Sequence, residues 1–317
     1  MKFGSIRKNQ YPEKTRYKTF FDKYLSYDKY LSIIIVSRKE HMMDGKVVKE
    51  EMDFRYLDWN RIRHSSGTAG SFLKAYEGPK SSRWYYKLSD FDAYHGIVGH
   101  ECVNEIIADR LLTCLRVPHL SYTLIHARIK IGEEEYLTWL CRSRDYKKKG
   151  ESKIALDTYY QMERFQDESP LAFCLRQGWD EYVYQMLAVD YLILNRDRHG
   201  ANMEVLRDRT EHTIRLAPLF DHGLSLFFSV HTESELQRED PMADKRIQSF
   251  IGSNSARENL NLIPNGISAF PGKLRETDRE ELFADLEQAI SETYLDRIWE
   301  MIWRRWQVYE SICDSGR

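Results

Sequence analysis

The sequence has little excess charge of either sign: 47 basic against 49 acidic residues leave a formal net charge of −2 over 317 residues. A chain so balanced carries no general field to attract a polyanion, so neither nucleic acid nor an anionic membrane is an expected partner. Long apolar runs are missing too. No stretch approaches the roughly 20 residues that span a bilayer, and residues 1–14 (MKFGSIRKNQYPEK) contain no apolar signal segment. The expectation is a soluble, cytoplasmic protein, with secretion by a non-classical route or into a host left open. Cysteine is sparse and scattered. Cys102, Cys114, Cys141, Cys174 and Cys313 are odd in number and have no C-x-x-C spacing, which argues against a disulfide framework and against a zinc knuckle. His95 and His100 stand five apart and His119 and His126 seven apart, so neither pair has the four-residue spacing that puts two ligands on one helix face. Internal repeats and low-complexity tracts are also absent.

What is present is core-forming material: 42% hydrophobic and 13% aromatic residues, at a length where one core commonly gives way to two. Residues 1–30, rich in Lys, Tyr and Asp, have no clear apolar period and read as an extension. The β-branched run 31–36 reads as a strand, and 71–76 and 83–88 as a hairpin around the turn-rich 77–82. Residues 98–115 read as a helix that is apolar on two faces and therefore packed on two sides, which would leave a carboxylate such as Glu105 desolvated and in need of a cation. Strands come next at 120–129 and 136–142. The polar run 142–151 (RSRDYKKKGE) reads as a linker, and the remainder of the chain is mainly helical, notably 179–194 and 279–312. Trp299, Trp303 and Trp306 at helical spacing are ordinary core residues by this reading. The order predicts an α+β, two-lobed chain: a strand-rich lobe over 31–144 and a mainly helical lobe over 145–317.

The segment with the most chemistry is Asn195-Arg196-Asp197-Arg198-His199-Gly200-Ala201-Asn202, between a helix and the strand-like 203–206. An aspartate followed five positions later by an asparagine on such a loop has the spacing of a kinase catalytic loop. The aspartate accepts or orients the proton of an attacking hydroxyl. The asparagine gives Mg²⁺ a neutral oxygen that adds no repulsion toward a triphosphate. A second strand-like run, 213–217, leads into Pro218-Leu219-Phe220-Asp221-His222-Gly223, and a hairpin through 208–211 would return Asp221 to the side of Asn202. Gly223 is expected to let the chain turn sharply away.

Asp-Arg-His-x-x-Asn followed by Asp-x-Gly resembles the catalytic core of HipA-like serine/threonine kinases and phosphatidylinositol kinases, relatives of the protein kinases. The flanking Val189–Asn195 and Leu216–Asp221 runs favour the HipA-like bacterial proteins, in particular the short, single-chain CtkA-like kinases. The resemblance implies a protein-kinase-like fold, ATP and Mg²⁺ as cofactors, Asp197 as the catalytic aspartate, and Asn202 and Asp221 as metal ligands. It implies a phosphate-covering loop at 64–71 with Ser66, Gly67, Thr68 and Gly70 on the nucleotide, and Lys87 on the α- and β-phosphates. Glu101 and Glu105 lie one turn apart on nearly the same face, so geometry does not choose the partner of Lys87; the resemblance of Asn104-Glu105 to the family's Asn-Glu pair favours Glu105.

Leu140, Cys141 and Arg142, just before the linker, are expected to meet the adenine through their backbone. Asp190 is expected to brace the catalytic loop from below, and His199 to pack and hydrogen-bond under it. Ser65, Ser66, Thr68 and Ser71 are candidates for autophosphorylation, and 224–254 stands where substrate-binding segments lie. Implied partners are a protein substrate and an antitoxin-like regulator. The rival readings are a lipid or small-molecule kinase and a nucleotide-binding regulatory module with little turnover.

Overall fold

The computed structural model describes residues 46–60, 72–79 and 82–314. The expected extension at 1–30, the strand at 31–36 and the phosphate-covering loop at 64–71, with Ser65, Ser66, Gly67, Thr68, Gly70 and Ser71, lie outside the described residues.

A five-stranded sheet in the order β1-β6-β7-β3-β2 forms the first half. Its strands are β1 (Lys46–Asp53), β2 (Lys74–Glu77), β3 (Trp84–Leu88), β6 (Tyr122–Ile131) and β7 (Glu134–Arg144), with a small hairpin of β4 (Phe91–Asp92) and β5 (Gly96–Ile97) between β3 and the first helix. β1 runs parallel to β6 and the remaining pairs are antiparallel. Alternation along the strands gives the sheet two faces. Leu88, Tyr86, Ile125, Ala127, Ile129 and Leu140 fill a small outer core. Tyr122, Leu124 and Cys141 point inward, toward helix α1 (Glu101–Leu115).

Every residue from Glu101 to Asp109 is buried, because α1 is covered on both sides. Beyond the sheet, Arg110 Nη1 donates to the carbonyls of Leu282 and Ala284 at 3.0 and 2.7 Å, and Asn104 Nδ2 donates to those of Gly223 and Ser225, both at 3.0 Å.

The polar run read as a linker divides differently from the expectation. β7 continues through Arg144, and β8 (Glu151–Ala155) starts a second, three-stranded sheet in the order β11-β10-β8 with β10 (Glu204–Asp208) and β11 (Thr213–Leu216). Only 145–150 remain between them. The helices are α2 (Leu156–Glu163), α3 (Pro170–Arg176), α4 (Asp180–Leu192), α5 (Glu233–Arg238), α6 (Ala256–Asn259), α7 (Arg279–Phe283) and α8 (Glu292–Asp314). Asp197–Arg198, in the loop read as catalytic, form β9, paired in parallel with β12 (Gln248–Ser249). α8 buries Trp306 against Phe270, while Trp299 and Trp303 stack at 5.5 Å, consistent with packing rather than a binding face. No helix among the described residues is long and apolar enough to cross a membrane.

Buried guanidinium groups hold the second half together. Arg305 donates to the carbonyls of Pro241, Tyr191 and Ala243 at 2.9, 3.0 and 2.8 Å, tying α8 to the end of α4. His100, just before α1, is half-buried edge-on to Tyr294 with its Nε2 shut off from solvent, and burial followed by the nearby His231 depresses its pKa to about 4. An unfolded chain therefore takes up this proton near pH 6.5 while the native one does so only near 4, so stability falls as pH drops through that window. The loss should reach about 3 kcal/mol. Thermal melts at pH 7 and pH 4.5 should show a smaller drop for His100→Phe than for the parent chain; an equal drop would remove His100 from the account.

Candidate active site

A cleft of about 560 Å³ runs from the inner face of the first sheet to the turn between β9 and β10, lined among others by Lys87, Tyr122, Cys141, Tyr146, Asn202 and Asp221. Three chain segments meet at its inner end.

β3 supplies Lys87, whose inward position follows from strand alternation opposite Cys141. Its ammonium lies 2.8 Å from Glu105 Oε1 and 2.6 Å from Asp221 Oδ1. Burial disfavours the charged form, but Asp221 and Glu105 outweigh it and hold the Lys87 pKa well above the ordinary range, so the ammonium stays protonated. The choice left open between Glu101 and Glu105 is resolved by the geometry: α1 aims Glu105 at Lys87, whereas Glu101 Oε2 turns back to accept from the backbone N–H of Asp90 at 3.0 Å. Burial pushes the Glu101 carboxyl up, and it pushes Glu105 up as well, there opposed by Lys87.

Glu105 has a second task. Its Oε2 accepts from the backbone N–H of His222 at 2.8 Å, fixing the chain directly after Asp221. Asp221 itself sits in the left-handed region at φ 60°, a conformation that costs a non-glycine residue energy and persists because its surroundings impose it. The turn therefore belongs to Asp221 and not to Gly223, which has no positive φ. Gly223 is required for close approach: a Cβ there would lie 3.1 Å from Glu101 Cβ and 3.2 Å from Lys87 Nζ. His222, the central residue of the Asp-x-Gly segment, is buried and its pKa is driven well below the usual value, first by burial and then by Arg198, so the ring is neutral.

The loop read as catalytic, 195–202, follows α4. Backbone bonds between Leu226 N and Ile193 O (2.6 Å) and between Arg196 N and Leu224 O (2.8 Å) clamp its first residues to the chain beyond Asp221. Gln248 N and Phe250 N donate to the carbonyls of Arg196 and Arg198 on the opposite side. Parts of 224–254, read from sequence as a substrate-binding segment, thus buttress the loop. Asn202 Nδ2 donates to the Asp197 carbonyl at 2.8 Å and to its Oδ2 at 3.3 Å. That places Asp197 behind Asn202, which lines the cleft, and turns the acceptor oxygen of the Asn202 amide away from Asp197. Gly200 admits no side chain, since a Cβ would lie 2.4 Å from Asp157 Cβ. His199 does not sit beneath the loop: it is partly exposed, accepts from Ala201 N at 3.1 Å through Nδ1, and has Nε2 3.6 Å from Asp197 Oδ1.

Beneath the loop lies Arg198, fully buried, and sequence reasoning gives it no role. Its Nε and Nη2 meet the two Asp190 oxygens at 2.9 Å each, while Nη1 reaches the carbonyls of Phe220 (3.0 Å) and Asn202 (3.3 Å). Asp190 also accepts from Asn195 Nδ2 at 2.9 Å. One guanidinium thereby sets the separation of the two segments that carry Asn202 and Asp221. The only sequence signal is the position of Arg198 beside Asp197, facing an aspartate on the buried stripe of α4.

The cleft differs from the sequence reading where adenine was expected. Leu140, Cys141 and Arg142 lie in the middle of β7, paired with β3 on one side and β6 on the other, so their backbone groups are committed to the sheet. Leu140 packs in the outer core and Arg142 lies over Trp84 at 4.3 Å, both facing away from the cleft. Only Cys141 lines it, and its thiol is held neutral, chiefly by a hydrogen bond with Cys102. Sheet pairing ends before 145–147, where Asp145, Tyr146 and Lys147 also line the cleft and the Lys147 N–H donates to Asp145 Oδ1 at 3.0 Å.

Asn202 and Asp221 are hard oxygen donors on one cleft wall and suit a hard divalent cation shared with phosphate oxygens. Among the described residues no cluster of three His, Cys, Asp or Glu side chains could hold a metal by itself.

No protein-family model matches this sequence, and no curated protein matches it. Among solved structures, it is similar to the crystal structure of the Helicobacter pylori proinflammatory kinase CtkA, with a TM-score of 0.57 and 13% sequence identity over 84% of this chain and 98% of that chain. At that identity the likeness establishes the fold: the α+β class expected from the sequence, arranged as in a CtkA-like kinase.

Proposed function

We propose that this chain is an ATP- and Mg²⁺-dependent phosphotransferase that acts on a serine or threonine hydroxyl of a protein. The observation that carries the reading is the convergence, above one buried Arg198–Asp190 pair, of Asn202, Asp221 and Asp197 with a protonated Lys87 held by Glu105. Each has a use in phosphoryl transfer. Lys87 meets the α- and β-phosphates, exchanging its contact with Asp221 for them while Glu105 retains it. Asn202 and Asp221 would hold Mg²⁺, which when bound neutralises charge on the phosphates. Asp197 orients the acceptor hydroxyl and takes its proton as the new P–O bond forms and the bond to ADP breaks. The shared fold with a kinase supports the same reading. Ser65, Ser66, Thr68 and Ser71 are proposed acceptors within the chain itself.

The test is incubation with γ-³²P-ATP and Mg²⁺ alone, with a protein mixture, and with inositol lipids. The expected result is label on protein serine or threonine, including a peptide spanning 64–71. Label on lipid alone would favour a lipid kinase; ATP binding without transfer to any acceptor would favour a nucleotide-binding regulatory module.

A further inference from the structure

The base end of the cleft contains an aromatic ring already seated. Tyr146, in the segment after β7, turns its side chain inward so that the ring stacks on Phe220 with centroids 5.5 Å apart and planes within 29°. Its hydroxyl donates to Glu204 Oε2, and Lys153 Nζ lies 4.0 Å above the ring while also 3.0 Å from Asp145 Oδ1. Phe220, Glu204, Lys153 and Tyr146 all line the cleft. Glu204 is a buried carboxylate that follows Asn202 by two positions, and Phe220 immediately precedes Asp221. The face of Phe220 and the oxygen of Glu204 thus form a receptor for one chemical pattern: a flat aromatic ring with a hydrogen-bond donor on its edge. The phenol of Tyr146 satisfies that pattern from within the chain.

An amino-bearing nucleobase satisfies the same pattern from outside. It brings a π-face and an exocyclic N–H, and it would come with phosphates directed to Lys87, at the inner end of the same cleft. The same backbone stretch, 145–147, is the first beyond β7 with groups not consumed by sheet pairing on both sides. The residue that would offer backbone to a base is therefore the one whose side chain fills the slot.

We propose that Tyr146 is a gate on the base site: a nucleotide enters by displacing its ring from Phe220, and Glu204 then accepts the amino N–H of the base in place of the phenol. This rests on the nucleotide-binding reading above. A closed gate lowers apparent affinity by the fraction of molecules that are open. Tyr146→Phe removes the latch to Glu204 but keeps the ring, and Tyr146→Ala empties the slot.

Calorimetric titration with ATP·Mg²⁺ should show affinity rising about severalfold in Tyr146→Phe and about tenfold in Tyr146→Ala, the latter corresponding to a gate closed in about nine-tenths of molecules. Thermal melts establish that each variant is folded, and Tyr146→Phe decides alone should the alanine variant not fold. In the open variant, N6,N6-dimethyl-ATP, which lacks the donor, should bind about tenfold more weakly than ATP. Affinity unchanged or reduced in both variants would overturn the gate and make Tyr146 a fixed wall of the site. Equal binding of the two nucleotides by the open variant would overturn the role given to Glu204. Binding of neither nucleotide by parent or variants would overturn the nucleotide reading itself, and the gate with it.

Discussion

Replacing Asp197 with asparagine should lower phosphate transfer by about 10²–10⁴-fold, the range for loss of a general base, while ATP affinity stays within about threefold. The substitution keeps size and shape. An asparagine at 197 still presents an oxygen to Asn202 Nδ2, which now donates to the Asp197 carbonyl at 2.8 Å and the carboxylate at 3.3 Å, so the loop should hold its course. What disappears is the negative charge and the ability to take a proton. Single-turnover transfer at saturating ATP isolates that step from binding. Transfer at the parental rate would mean that Asp197 is a loop residue only, and that the chemistry lies elsewhere or does not occur.

The second large effect concerns stability. Arg198→Leu should destabilise the chain by about 3–5 kcal/mol, because it leaves Asp190 as a buried charge without its counter-ion. It also removes the donor to the Phe220 and Asn202 carbonyls. For a chain of this size that corresponds to a fall in melting temperature of roughly 5–8 °C. Removing the charge as well, in Asp190→Leu with Arg198→Leu, should recover part of the loss, since an apolar pair has no uncompensated charge to solvate. Denaturant titration of the two singles and the double measures the coupling. Additive losses would show that the two residues do not act as a pair, and an unchanged melting temperature in Arg198→Leu would show that this buried ion pair is not what holds the loop.

Much of this is legible in the sequence, for identifiable reasons. Apolar periodicity locates β2, β3, β6 and β7 of the first sheet, the doubly buried α1 and the hairpin of β10 and β11, because each element buries one or two faces and the pattern records which; the mostly exposed β1, with Lys49-Glu50-Glu51 at its centre, goes unread. The spacing from Asp197 to Asn202 and the later Asp221 are visible because side-chain chemistry demands particular residue types. Three kinds of feature are not visible. The expectation for 140–142 fails because backbone recognition leaves no residue signature; only the pairing of β7 on both sides shows that these residues have no backbone groups to offer. β8 goes unread because Glu151-Ser152-Lys153 is polar: Glu151 closes the run read as linker and the residues after it fall in the part read as mainly helical, although the strand pairs with β10 as the edge of a half-exposed sheet. Arg198 escapes notice because arginine is seldom fully buried; its burial depends on Asp190, eight residues earlier on a different element.

The measurement that bears most directly on the central claim is Mn²⁺ binding in the presence of a non-hydrolysable ATP analogue, read by electron paramagnetic resonance. The account predicts a ternary complex in the parent chain and about a tenfold or greater loss of Mn²⁺ affinity in Asn202→Ala and in Asp221→Asn, with both variants still folded. Mn²⁺ and analogue bound equally by the parent and both variants would contradict it, because the two side chains would then not share a cation.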